Sequence, residues 1–141
     1  MDKRISEIER RLGQWMKRDR AVKAILEIPG VGLLTATAAV AAMGKADAFR
    51  SGREFTAWIG LVPRQTGSGG KVAMLGISKR GDTYLRTLLV HGARSVLRVQ
   101  KDPGAWAERL RGRRPLNVAI VAQANKTART LHVEGAVSCA C

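Results

Sequence analysis

Ile28-Pro29-Gly30-Val31-Gly32-Leu33-Leu34-Thr35-Ala36 decides how the chain is read. Pro29 and the two glycines break a helix, and they stand between two segments able to form one. Upstream, Ile5, Ile8, Leu12, Trp15, Val22 and Leu26 recur at three- and four-residue steps, with Asp19 interrupting the row. That is the a/d seam of a coiled coil. It predicts one amphipathic helix over residues 2–27, packed on its own domain or on a partner helix. Downstream, Ala, Thr, Val and Leu carry a second helix to Met43, with Gly44 placed for a left-handed C-terminal position. The pattern is a helix-hairpin-helix, in which glycines leave the N–H groups at a helix start open to a DNA phosphate. Gly30, Val31 and Gly32 are the candidate contacts, and an ordinary helix–helix turn is the alternative.

Further along, Ser51-Gly52-Arg53-Glu54 reads as a capping box opening a short helix with Phe55, Trp58 and Ile59, closed by Gly60. Pro63 to Gly76 reads as a loop. Asp82 can cap a long helix whose apolar positions include Leu85, Leu88, Leu89, Val96 and Leu97, ending before Lys101-Asp102-Pro103-Gly104. Arg109, Arg111, Arg113 and Arg114 form a basic segment before Pro115. A last helix is expected from about Leu116 to Leu131, with Ile120, Val121, Ala124 and Ala128 inward. No period-two strand stands out. The expected fold is all-α: a small helical domain with a helix-hairpin-helix motif, preceded by a coiled-coil-like N-terminal helix. Its divisions are residues 1–27 (linker helix), 28–131 (main domain) and 132–141 (irregular tail).

A chain of 141 residues with 45% hydrophobic content supports one domain. Its 25 Lys and Arg against 11 Asp and Glu give a net charge of +14, which asks for a polyanionic partner. The cations are spread along the chain and not along one face of an apolar helix, so nucleic acid fits better than a membrane surface. The apolar stretch from Val31 to Met43 is too short to span a bilayer, and the polar start is no signal peptide. A cytoplasmic location is expected. Cys139, Cys141, His91 and His132 cannot supply a four-ligand zinc site from one place, so neither a metal nor a redox role is expected for them.

Gln65-Thr66-Gly67-Ser68-Gly69-Gly70-Lys71 is where backbone could closely approach a ligand. It is not a Walker loop, because Gln65 stands where the first glycine belongs and Val72 where Ser or Thr belongs. What remains is an exposed serine between glycines, with Arg64, Lys71, Lys79 and Arg80 near in sequence. Two readings stay open: Ser68 attacks a phosphodiester while the cations hold the developing charge, or the loop is a basic grip on phosphate. Tyr84 and His91-Gly92-Ala93-Arg94 resemble a tyrosine recombinase only superficially, since there the tyrosine follows the His-x-x-Arg motif. Tyr84 is therefore expected to be a half-buried packing residue and His91 structural. The acids are scattered singly, unlike the clustered carboxylates of a metal-dependent nuclease.

Three ordered strings carry a family resemblance: Ile28 to Ala36, Phe49 to Gln65 (FRSGREFTAWIGLVPRQ), and Ser68-Gly-Gly-Lys followed by Gly76-Ile-Ser-Lys-Arg-Gly-Asp-Thr-Tyr-Leu-Arg86. From about Asp19 to Arg129 the chain resembles the C-terminal transposase domain of the IS110/IS116/IS902 family of insertion sequences. The resemblance implies a recombinase working with two half-sites, in which a RuvC-like domain binds divalent metal through acidic residues and this domain supplies the nucleophile at Ser68. It also implies a bridge RNA pairing with donor and target DNA, so that the protein contacts mainly backbone and shape, with Gly69, Gly70, Lys71, Lys79, Arg80 and Arg86 joining the contacts above. Residues 2–27 correspond to the coiled-coil linker through which subunits associate. The RuvC-like domain has no counterpart here, so magnesium is expected there and no cofactor on this chain. The chain is accordingly expected to be a truncated copy, acting near the prokaryotic nucleoid and inactive alone. The alternative is a non-catalytic nucleic-acid-binding fragment or a decayed remnant.

Overall fold

Asp19 divides the N-terminal segment. The computed structural model describes residues 2–44 and 48–139, the side chain of Cys139 excepted, and Met1 and the last two tail positions, 140 and 141, lie outside that description. Within it, the Asp19 carboxylate accepts hydrogen bonds from the backbone N–H of Ala21 (2.8 Å) and Val22 (3.2 Å). It thereby ends α1 (Asp2–Arg18) and caps α2 (Arg20–Leu26). The single helix read over residues 2–27 is thus two helices, and the seam is split with it. Ala21, Val22 and Ile25 of α2 are buried, whereas no residue of α1 is.

The turn after α2 crosses the middle of α5 (Thr83–Val99) at very short range. Gly30 has φ +82°, and a Cβ built there would lie 2.7 Å from Val96 and 2.8 Å from the Gly92 carbonyl oxygen. A Cβ on Gly92 would overlap the Gly30 carbonyl in turn. Glycine is required on both sides of the crossing. From it α3 (Leu33–Met43) runs to Gly44, whose φ is +57°.

Local signals set the next elements. Ser51 Oγ accepts from the Glu54 N–H (3.3 Å), and Glu54 Oε2 accepts from the Arg50 N–H (2.8 Å), which opens α4 (Gly52–Ile59). Phe55 and Ile59 are fully buried, Phe49 meets Phe55 edge-on at 5.1 Å, and Gly60 closes the helix at φ +83°. Asp82 Oδ1 accepts from the Leu85 N–H (2.8 Å) and starts α5, which buries Leu85, Leu89, Ala93, Val96 and Leu97. The arginine-rich segment is itself a helix, α6 (Ala105–Arg113).

Two further expectations fail. The stretch from Pro63 to Gly76, read as a loop, is an antiparallel hairpin of β1 (Pro63–Ser68) and β2 (Lys71–Ile77). Neither face is covered, so burial imposes no alternation, and only the Gly69-Gly70 turn, with φ +63° and +81°, marks it. The last helix does not stop at Leu131: α7 spans Leu116–Cys139, taking in the segment read as an irregular tail from His132 onward. Its extension looked unpatterned because it packs through small residues, and a Cβ on Gly135 would meet the Met43 side chain at 2.8 Å. α7 buries Ala119, Ile120, Ala124, Ala128 and Leu131 and packs on α2, α4 and α5. The described residues form seven helices and one two-stranded sheet, a mostly helical small domain, and no helix among them is long and apolar enough to cross a membrane.

Gly92→Ala should cost about 2–3 kcal/mol in urea unfolding, because its methyl group meets backbone that cannot swing away. Gly32→Ala, in open space, should cost about 1 kcal/mol or less. Equal midpoints for the two variants would show that the glycine crossing does not hold the turn on α5.

Candidate functional site

Ser68 is the last residue of β1, and its cross-strand partner is Lys71, the first of β2. Directly opposed residues of an antiparallel pair share a face, so hydroxyl and ammonium leave the hairpin tip together. Every residue from Pro63 to Gly76 is exposed, and nothing lies within 4 Å of a Cβ built on Gly69 or Gly70. The tip is an open serine–lysine pair over a turn without side chains.

The other cations read as neighbours of Ser68 are not brought to it. Arg64 sits at the register shift between Pro63 and Gln65, near the hairpin base. At about 3.3 Å per residue, Pro63 lies roughly 16 Å from Ser68 along the strand. Lys79, Arg80 and Arg86 follow the base, at the opposite end from the tip. There the backbone is held firmly: the Ser78 N–H donates to Val62 O (3.0 Å) and the Lys79 N–H to Gly60 O (3.1 Å). Gly81 has φ +88°, and a Cβ on it would overlap the Trp58 carbonyl. Arg86 is occupied internally. Its Nη1 donates to Ile59 O (2.8 Å) and Arg80 O (3.2 Å), and its Nη2 to Thr83 Oγ1 (3.3 Å). It positions the turn that presents exposed Lys79 and Arg80, with Lys79 at φ +56°.

The turn read as a phosphate grip divides in the same way. Val31 is buried, and its N–H already donates to Ile28 O (3.1 Å). Gly30 is accounted for by the crossing with Gly92. Gly32 is exposed at the start of α3, where no side chain caps the helix, so the open N–H groups lie there. Tyr84, expected to be half-buried, is 60% exposed on α5. The ring Nε2 of His132 lies 3.1 Å from Phe49 O beside the Phe55 ring, a packing position, while His91 is exposed.

Among the described residues no three of His, Cys, Asp and Glu gather as metal ligands. Asp19, Glu54, Asp82 and Asp102 bond backbone N–H groups at turns and helix starts. Sequence reasoning also missed a groove of about 750 Å³ between the hairpin base, α6 and α7. Trp106, Asn117 and Lys126 line it, and no local pattern connects them to β2.

Residues 22–108 match the sequence family described as Transposase IS116/IS110/IS902. Over 135 residues the chain is 46% identical to a "Probable family 20 transposase" of Pseudomonas aeruginosa, covering 93% of this chain and 40% of the relative. It is 45% identical over 131 residues to the "Transposase for insertion sequence element IS1111A" of Coxiella burnetii, covering 90% and 36%. Against the "Transposase for insertion sequence element IS1328" of Yersinia enterocolitica it is 43% identical over 129 residues, covering 89% and 39%. The chain thus spans about two fifths of the length of these curated relatives.

Arg86→Leu should cost about 2 kcal/mol, because it strands the Ile59 and Arg80 carbonyls, and should speed amide exchange at Lys79. Arg80→Leu, which removes an exposed side chain, should change neither. Identical unfolding midpoints and exchange rates in both variants would show that Arg86 does not hold the turn.

Proposed function

Because this chain belongs to the IS116/IS110/IS902 transposase family, we propose that it is the part of such an enzyme that grips nucleic acid and presents Ser68 as the nucleophile of strand cleavage. The observation that carries this reading is the Ser68–Lys71 pair at an exposed hairpin tip, in a chain of net charge +14. In the proposed step Ser68 Oγ bonds to phosphorus and one deoxyribose oxygen leaves. The serine proton passes to a base and the leaving oxygen gains one. Lys71 steadies the charge on the non-bridging oxygens. Lys79 and Arg80, at the far end of the hairpin, hold phosphates further along the same polymer. At 3.4 Å of duplex axis per phosphate, a span of roughly 16 Å corresponds to about five steps.

The magnesium that the family resemblance implies would be held by a part of the transposase outside this chain, and no step here passes through it. Full strand transfer then needs that part as well, together with the bridge RNA that the resemblance implies. This proposed role lies at the nucleoid of a prokaryotic cytoplasm. Self-association through residues 2–27 is supported for α1, whose Ile5, Ile8 and Trp15 are 50%, 56% and 39% exposed. A non-catalytic grip is the second reading, favoured by the distance between Ser68 and the Lys79–Arg80 turn.

Combined with the remaining part of a related transposase, its RNA and magnesium, the chain should form a covalent adduct with DNA. Ser68→Ala should abolish the adduct and Tyr84→Phe should retain it. Loss in Tyr84→Phe with retention in Ser68→Ala would overturn the assignment of the nucleophile, and unaltered DNA binding without any adduct would favour the grip. Light scattering should give more than a monomer mass for the chain and a lower mass for Leu12→Asp. An unchanged mass would place α1 on its own domain.

A further inference from the structure

The groove beside the hairpin base has the size of a small-ligand site, about 750 Å³. Its walls are chemically divided. Leu75 and Ile77 from β2, with Val118 and Val121 from α7, make an apolar surface, and the indole of Trp106 adds a flat aromatic edge. Among the described residues the charged groups that line it, Lys79, Lys126 and Arg129, are all cationic. Lys126 Nζ lies 4.4 Å from the centre of the Trp106 ring, so a positive charge is held against the aromatic face. Two amides complete the lining. Asn125 Nδ2 donates to Leu61 O (3.0 Å), which leaves its Oδ1 as an acceptor, and exposed Asn117 has both groups to offer.

An apolar slot with an indole, amide groups and only cations suits a ligand with a flat heterocycle, hydrogen-bonding edges and attached negative charge. We infer that this groove receives an unstacked nucleobase of single-stranded nucleic acid, with the adjoining phosphates on Lys79, Lys126 and Arg129. The inference rests on the nucleic-acid reading above and deepens it. A base inside a duplex is stacked on both faces and cannot enter such a slot unless it is flipped out. An apolar protein segment would fill the hydrophobic wall and leave the three cations and two amides without partners, which is why a nucleotide is favoured.

The groove's position ties it to Ser68. Along β2, Lys71 and Ala73 alternate onto one face, Leu75 follows within the register shift opposite Arg64, and Lys71 is the partner of Ser68. Leu75 lies about 13 Å from Lys71 at roughly 3.3 Å per residue. A strand whose base is seated in the groove can follow the length of β2 to bring a phosphate, a few nucleotides on, to the hairpin tip.

The test uses the full chain carrying Trp15→Phe and Trp58→Phe, so that Trp106 is the single indole. Its probes are a short thymidine oligonucleotide, an abasic oligonucleotide of equal length and a duplex. The thymidine strand should quench Trp106 fluorescence and the abasic strand should not. Trp106→Ala should weaken thymidine binding about ten-fold, the scale of one base stacked on an aromatic side chain, and leave duplex affinity within about two-fold. Val118→Glu, at a 51% exposed position, should have the same selective effect without disturbing the core. Equal behaviour of thymidine and abasic strands, with duplex binding intact, would overturn the base site alone. Duplex affinity that does not fall with salt would overturn the nucleic-acid reading itself, which expects a slope of log K on log salt near −4 to −5 for about five neutralised phosphates. Quenching that rises with protein concentration alone would seat a second copy in the groove and also overturn the inference.

Discussion

The small, buried face of α7 is the constraint from which the rest of the architecture follows. Ala119, Ala124 and Ala128 are completely buried, and Gly135 meets Met43 and Ile25. Side chains of this size let other helices come close to the α7 axis. A Cβ built on Gly52 at the start of α4 would stand only 3.2 Å from Arg129 Cα. Three helices, α2, α4 and α5, therefore share one partner, and a chain with two Phe and three Trp still closes a core. The cost is sensitivity: where backbones nearly touch, as at Gly30 and Gly92, a single methyl group has nowhere to go.

The hairpin inherits its order from this core only at one end. Asn125 of α7 bonds Leu61 O, Arg86 of α5 bonds the carbonyls of Ile59 and Arg80, and Ser78 and Lys79 return bonds to Val62 and Gly60. Beyond Ile77 and Pro63 the other described residues leave the two strands exposed. A two-stranded ribbon without a packed face is marginal by itself. Lys79 and Arg80 thus stand on a braced turn, whereas Ser68 and Lys71 stand on a projecting one.

What the sequence disclosed follows the range of the interaction. The Ser51–Glu54 box, the Asp82 cap and the closing Gly60 each act over three or four residues, and all were legible. Asp19 was visible as a break in the seam, but its role as a cap depends on a backbone that only the fold provides. The hairpin escaped notice because a period of two records a buried face, and this hairpin has none. Its one local sign was a pair of adjacent glycines. The internal bond of Arg86 was not legible, because its carbonyl partner Ile59 is 27 residues away. Tyr84 read as half-buried because an aromatic residue on an amphipathic helix usually is. The groove joins β2 to α6 and α7, and no linear pattern records that meeting.

The spacing of the cations decides what kind of ligand this surface suits. An enzyme that binds one phosphate gathers its positive groups around one point. Here Lys71 lies at the tip, Lys79 and Arg80 at the base, and Lys126 and Arg129 across the groove. No single phosphate can touch them all, but a polymer with charge repeated along its length can. The same geometry limits what the tip does unaided. A nucleophile must be held within about 0.5 Å of its productive position, and an uncovered ribbon with a Gly69-Gly70 turn does not impose that on Ser68. In the proposed role the missing restraint comes from what binds against the hairpin: the strand anchored at its base, and the further parts found in the relatives, of whose length this chain spans about two fifths.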